Sequence, residues 1–205
     1  DTAVVLGLSH RGGASGLALL EGTALRTPLG EAALDTEATQ FLCDQSARIV
    51  ADARPHGGEH SAENEVPFLQ RALPATRLVI GLSGSHEAEL VEETAAALAA
   101  LAEQKRIVVI ASTDLLHDPD YDRVSRTDRE TLQLMEELDV EGLLDRWSYR
   151  EQVCCGITPV AICMRFAQAR GCRRGQVLQY RNSGDDFPES RGSWVVGYGS
   201  VVFAA

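Results

Sequence analysis

Five short segments of this chain carry residue types that can ligate a metal, move a proton or form a thiolate. The apolar run Val4-Val5-Leu6-Gly7-Leu8 ends on Ser9-His10 and then enters Arg11-Gly12-Gly13. α/β proteins place their chemistry outside the carboxyl ends of such strands. His10 can therefore serve as a metal ligand or general base, or it can simply cap the strand end by hydrogen bonding. His56 and His60 share a loop with Glu59 and Glu63. Two histidines four residues apart suit a metal on a helix, but Gly57-Gly58 argues for a loop and for a loop-ordering role. Ser112-Thr113-Asp114 and His117 follow another apolar run, which makes Asp114 and His117 a candidate acid/base pair. Cys154-Cys155-Gly156 precedes a helical pattern, where the positive end of the dipole favours thiolate, a nucleophile or soft ligand. A free cysteine can equally be plain core, as Cys43, Cys163 and Cys172 in or beside helical patterns are expected to be. Ser183-Gly184-Asp185 is the fifth segment.

The elements that must position these groups alternate between strands and helices. Strands are predicted near residues 3–8, 78–82 and 106–111, and at the end of the chain over 176–180 and 194–203. The first is apolar throughout and is expected to be buried on both faces. Asp35 is a good N-cap for a helix with Phe41, Leu42, Ile49 and Val50 on one side. Ser61 is placed to cap a helix presenting Val66, Phe68, Leu69 and Leu73, with Pro67 starting a new segment, and Ser85 to cap one that runs to Lys105. Helices are also predicted over 122–138, over 140–148 and from Gly156 to Gly171. This is an α/β chain with a mostly parallel central sheet, helices on both faces, and two final strands that can pair antiparallel.

At 205 residues the chain suits one domain. Its net charge of -11 argues against nucleic acid and against an anionic membrane surface. No run approaches the roughly 20 apolar residues of a membrane span. No secretion signal is visible, and five cysteines without a C-x-x-C pair make a poor disulfide framework, so a reducing, cytoplasmic location is expected.

Nucleotide loops, a G-x-S-x-G elbow and H-E-x-x-H are all missing, so no nucleotide cofactor is expected. The mixture of His, Asp, Glu and Cys on strand-end loops points instead to a mononuclear metal with nitrogen and sulfur ligands. The order of segments resembles the Memo family, also called AmmeMemoRadiSam system protein B. The resemblance rests on Leu6-Gly7-Leu8-Ser9-His10, Thr27-Pro28-Leu29-Gly30, Glu59-His60-Ser61-Ala62-Glu63 and Pro67-Phe68-Leu69. It continues through Ala111-Ser112-Thr113-Asp114-Leu115-Leu116-His117, Cys155-Gly156 with Pro159, Tyr180 to Asp185, and Val196-Gly197-Tyr198.

The resemblance implies a single Memo-like domain over residues 1–205, with a fold like that of class III extradiol ring-cleavage dioxygenases. It implies iron or copper and redox or dioxygenase-like chemistry on a small substrate. By motif, His10 and Cys155 match metal ligands, His117 and Asp114 match catalytic positions, and His60, Glu59 and Ser9 line the cleft. The family's first metal histidine lies in an upstream Pro-His-Ala-Gly strand. This chain opens on Asp1 without that strand, and His56 in Pro55-His56-Gly57-Gly58 is not its equivalent. An alternative reading is a non-catalytic module that binds a peptide or protein through the same cleft, with His10, Arg11 and His117 facing an acidic ligand. A further one is a metal hydrolase in which Asp114 or His117 activates water. A homodimer is compatible with the pattern and nothing in it requires one.

Overall fold

The computed structural model describes residues 1–204. The chain opens with β1 (Thr2–Leu8), β2 (Leu17–Leu19), β3 (Ala24–Thr27), β4 (Gly30–Ala33), α1 (Thr36–Gln45) and β5 (Ile49–Ala51). It continues with α2 (Val66–Ala72), β6 (Arg77–Ser83), α3 (Ala88–Ala102), β7 (Ile107–Ala111) and β8 (His117–Asp118). Then come α4 (Tyr121–Glu137), α5 (Val140–Arg146), α6 (Ile157–Ala169), β9 (Gly175–Asn182), α7 (Ser183–Asp186) and β10 (Val195–Phe203). These elements form two compact units: Asp1–Ser112 with Thr158–Phe166, and Thr113–Ile157 with the stretch from Ala167 onward.

The first unit holds a five-stranded sheet in the order β5-β2-β6-β1-β7. Every pairing in it is parallel except β2 with β6, as the expected mostly parallel sheet requires. The central strand β1 has Ala3, Val4, Val5 and Leu6 at 0% exposure, so both sheet faces are covered there. On one face Ala3, Val5, Leu78 and Ile80 pack with Val66 and Leu69 of α2. On the other, Leu6, Leu17 and Leu19 close over Gly81, whose missing side chain makes room for them. Asp35 caps α1 as expected, accepting from the Ala38 N–H, and it also receives Thr2 and the Lys105 ammonium.

Three local expectations fail, the first two through a tertiary partner. Ile49 and Val50 leave the helix and form β5, because Leu17–Leu19 offers them a parallel ladder. Ser61 caps no helix and spends its hydroxyl on the Leu8 carbonyl at 2.7 Å. Phe68 and Leu73, expected on the apolar face of that helix, lie on the outside, at 73% and 41% exposure. Glu87, not Ser85, precedes α3 as its N-cap.

The second unit is built on a three-stranded sheet, β8-β10-β9, with both pairings antiparallel, and α4 packs on β9 and β10. Asp120 and Asp139 cap α4 and α5 through their carboxylates. Val124, Asp128, Thr131, Leu132 and Met135 form the buried face of α4, so one carboxylate sits in a mostly apolar stripe. Among the described residues no helix is long and apolar enough to cross a membrane.

Candidate functional site

In the first unit β1, β6 and β7 run parallel, so their carboxyl ends share one edge of the sheet. There Ser9 donates its backbone N–H to the Ser83 carbonyl, and its hydroxyl donates to the Gly12 carbonyl at 2.8 Å. The Ser9 proton is thus spent on the turn that sends His10 outward. The loop carrying Glu59 lies against the same strand end because position 7 is glycine. A Cβ there would stand 2.4 Å from Ser61 Oγ and 2.8 Å from the Ala62 nitrogen.

Glu59 is the centre of this edge. Its side chain is nearly inaccessible, and it collects four hydrogen bonds. The backbone N–H groups of His10 (2.6 Å), His60 (2.7 Å) and Ser61 (3.0 Å) donate to it, and so does His10 Nδ1 at 3.0 Å. Burial alone would raise its pKa, but the donors outweigh burial and hold the carboxyl down at about 2. With Nδ1–H committed to Glu59, the lone pair of His10 is left on Nε2. Metal-binding histidines are commonly oriented this way by a carboxylate behind them.

His10, Glu59 and His60 are grouped closely enough to suggest a metal, with ligand atoms within 4.8 Å of one another. The details favour His10 as ligand and Glu59 as its orienting partner. Glu59 Oε1 already accepts three hydrogens, and the rings of His10 and His60 stack at 5.2 Å with an interplanar angle of 9°. Lone pairs of parallel rings run side by side and do not converge on one ion. His56 lies apart in function: its Nε2 donates to the Ala18 carbonyl at 3.1 Å, and burial lowers its pKa. That is the loop-ordering role expected of it.

The second unit brings together Asp114, His117 and Cys155. Cys155 is half-buried, and its Sγ accepts the Asp114 N–H at 3.3 Å with Thr113 Oγ1 at 3.4 Å. The Cys155 N–H returns to the Asp114 carbonyl at 3.2 Å, so the sulfur is fixed on the Thr113-Asp114 backbone. An N–H directed at sulfur is an arrangement that suits a metal-ligating sulfur. Its neighbour Cys154 is fully buried, and burial pushes that thiol far up, which leaves it inert. His117 Nε2 stands 3.4 Å from Asp114 Oδ2, and its ring meets the edge of Trp194 at 5.8 Å.

Two residues near His117, Asp128 and Trp194, were not picked out from sequence, and Tyr198 entered only through the Val196-Gly197-Tyr198 motif. Asp128 Oδ1 accepts the Leu116 N–H at 3.0 Å and Oδ2 accepts the Tyr180 hydroxyl at 2.9 Å. Burial pushes Asp128 up to about 6, against the pull of those donors and of His117. Tyr198 is raised by burial and by the Asp114 charge, and Trp194 is 57% exposed. Asp128 had a legible signal, an aspartate at helical spacing between Val124 and Leu132. Trp194 had none.

A family model described as Memo-like protein matches residues 1–202, running through both units. A MEMO1 family protein of Methanopyrus kandleri is 32% identical over 99% of this chain and 72% of its own length. One from Methanosarcina acetivorans is 32% identical over 98% of the chain and 75% of its own. Among solved structures, an uncharacterised protein from Escherichia coli K12 superposes with a TM-score of 0.60 at 17% identity. It covers 96% of this chain and 86% of its own, a likeness that shows the fold alone and fits the α/β fold expected from the resemblance. On the family match and the relatives together, the chain belongs to the Memo family.

Proposed function

We propose that this Memo-family chain, as a single domain, holds one iron or copper ion and uses it in oxidative chemistry on a small organic substrate. The observation that carries this reading is the His10–Glu59 pair. A carboxylate held ionised behind Nδ1 fixes the tautomer and aims Nε2 as a ligand. His10 and Cys155 are each proposed as a metal ligand on the family resemblance, and the donor chemistry of each fits that role: an oriented imidazole in the first unit, and in the second a sulfur that accepts a backbone N–H. When bound, iron or copper would supply one-electron chemistry and polarise an oxygen of the substrate.

The protein's own share is positioning and proton transfer. Asp114 orients the His117 ring through Nε2, leaving Nδ1 to serve as the proton-transfer atom. Trp194 packs on that ring and restricts its rotation. The acidic surface disfavours nucleic acid as partner, and five free thiols among the described residues suit a reducing, cytoplasmic compartment. The test is Co(II) substitution of the full-length gene product. A thiolate-to-cobalt absorption band is expected, lost in Cys155→Ser and restored by no other cysteine. Identical spectra for wild type and variant contradict the proposal.

A further inference from the structure

The loop that carries Glu59 also roofs a cavity inside the first unit, of ≈ 230 Å³. Its walls are apolar, with Leu20 and Leu25 from the segment around β2 and β3, and Leu82 from β6. The cavity takes three polar side chains from the loop: His56, Glu59 and Glu63. All three are acceptors. The Nε2–H of His56 is committed to the Ala18 carbonyl, so its Nδ1 carries a lone pair, and the two glutamates are carboxylates. Among the described residues, no lysine or arginine lines the cavity. Arg54 next to the rim is held by Asp52, and the Arg11 guanidinium lies against Gly58.

A space with apolar walls and only acceptors asks for a ligand that brings donors and positive charge on an apolar body. An anion would face two carboxylates, and a neutral hydrocarbon would leave half-buried His56 without a partner for its lone pair. We propose that this cavity is a binding site for a small primary ammonium compound. Its apolar body would lie on Leu20, Leu25 and Leu82, and its –NH3⁺ would donate to Glu63 and His56. The ammonium's proposed partners, Glu63 and His56, are not residues assigned to the metal.

The experiment titrates the metal-free protein with benzylamine, benzyl alcohol and benzoate, following backbone amide resonances by NMR. The expected result is saturable shifts centred on residues 56–63 and Leu82 with benzylamine, at least tenfold weaker binding of the alcohol, and no binding of benzoate. Glu63→Gln, a change at an exposed position, is expected to weaken the amine about tenfold, the value of one charge-assisted hydrogen bond. Leu25→Trp, which fills the space from the hairpin, is expected to abolish binding while the rest of the spectrum stays native. Equal affinity for amine and alcohol overturns the proposal. So do shifts that map elsewhere, an amine affinity unchanged in both variants, or no binding of the amine at millimolar concentration.

Discussion

Glu59 and Asp128 are both buried carboxylates, 4% and 0% exposed, yet one is held down at about 2 and the other pushed up to about 6. Burial acts in the same direction on both, so it does not explain the difference. The donors do. Glu59 receives three backbone N–H groups and an imidazole N–H, whereas Asp128 receives one backbone N–H and one phenol. Fixed donors solvate a buried anion as water would, and a site with too few of them keeps its proton instead. The first region is thus built to hold a charge beside His10. The second holds the segment before His117 with a group that is nearly neutral in weak acid.

The largest effect expected is at Glu59. Glu59→Gln points an NH2 at N–H donors or leaves one side of the carboxylate unmatched, and should cost roughly 3–5 kcal/mol in urea unfolding. In the wild type the same bond set has a pH signature. The folded pKa lies below the ordinary 4.5, so its stabilisation is present above 4.5 and is lost as pH falls toward 2. That loss amounts to about 3 kcal/mol. Equal acid sensitivity in Glu59→Gln and wild type would erase the distinction between the regions.

Each carboxylate region also depends on a glycine. At Gly7 a Cβ would meet Ser61 Oγ at 2.4 Å, and at Gly197 it would meet Asp128 Oδ2 at 1.8 Å. Gly7→Ala and Gly197→Ala should each lower stability by about 1–3 kcal/mol. The first should disturb NMR signals of the Glu59 loop and the second those around Leu116. Signals that move in the opposite pattern would show the packing to be misassigned.

Asp128→Asn should go the other way from Glu59→Gln. With its folded pKa raised from 3.8 to about 6, the native state binds more protons in that window, so wild-type stability falls as pH rises through it. The asparagine variant should lose that slope and become more stable than wild type by about 1–2 kcal/mol at pH 8, where Asp128 is forced to ionise. A variant less stable than wild type at pH 8 would mean that the Asp128 charge is as well solvated as that of Glu59.

Much of this was legible in the sequence, because local signals carried it. The apolar run into Ser9-His10, the Asp35 cap and the break at Pro67 all read correctly. His10 and Glu59 lie 49 residues apart, and only the family order of segments joined them. The placements that failed depended on remote partners. Ile49 and Val50 pair with Leu17–Leu19, and Ser61 gives its hydroxyl to Leu8. No local pattern encodes either contact. Asp128 was readable as a polar residue in an apolar stripe, but its solvated-helix alternative looks the same in one dimension.

The central claim is that His10, aimed by Glu59, and Cys155, held by the Asp114 N–H, are each metal ligands. Metal content of the full-length gene product, by inductively coupled plasma mass spectrometry, tests it most directly. About one equivalent of iron or copper is expected in the wild type and in His56→Ala, with most of it lost in His10→Ala and in Cys155→Ala. Equal metal content across the wild type and these variants, or none in any of them after anaerobic loading, would contradict it.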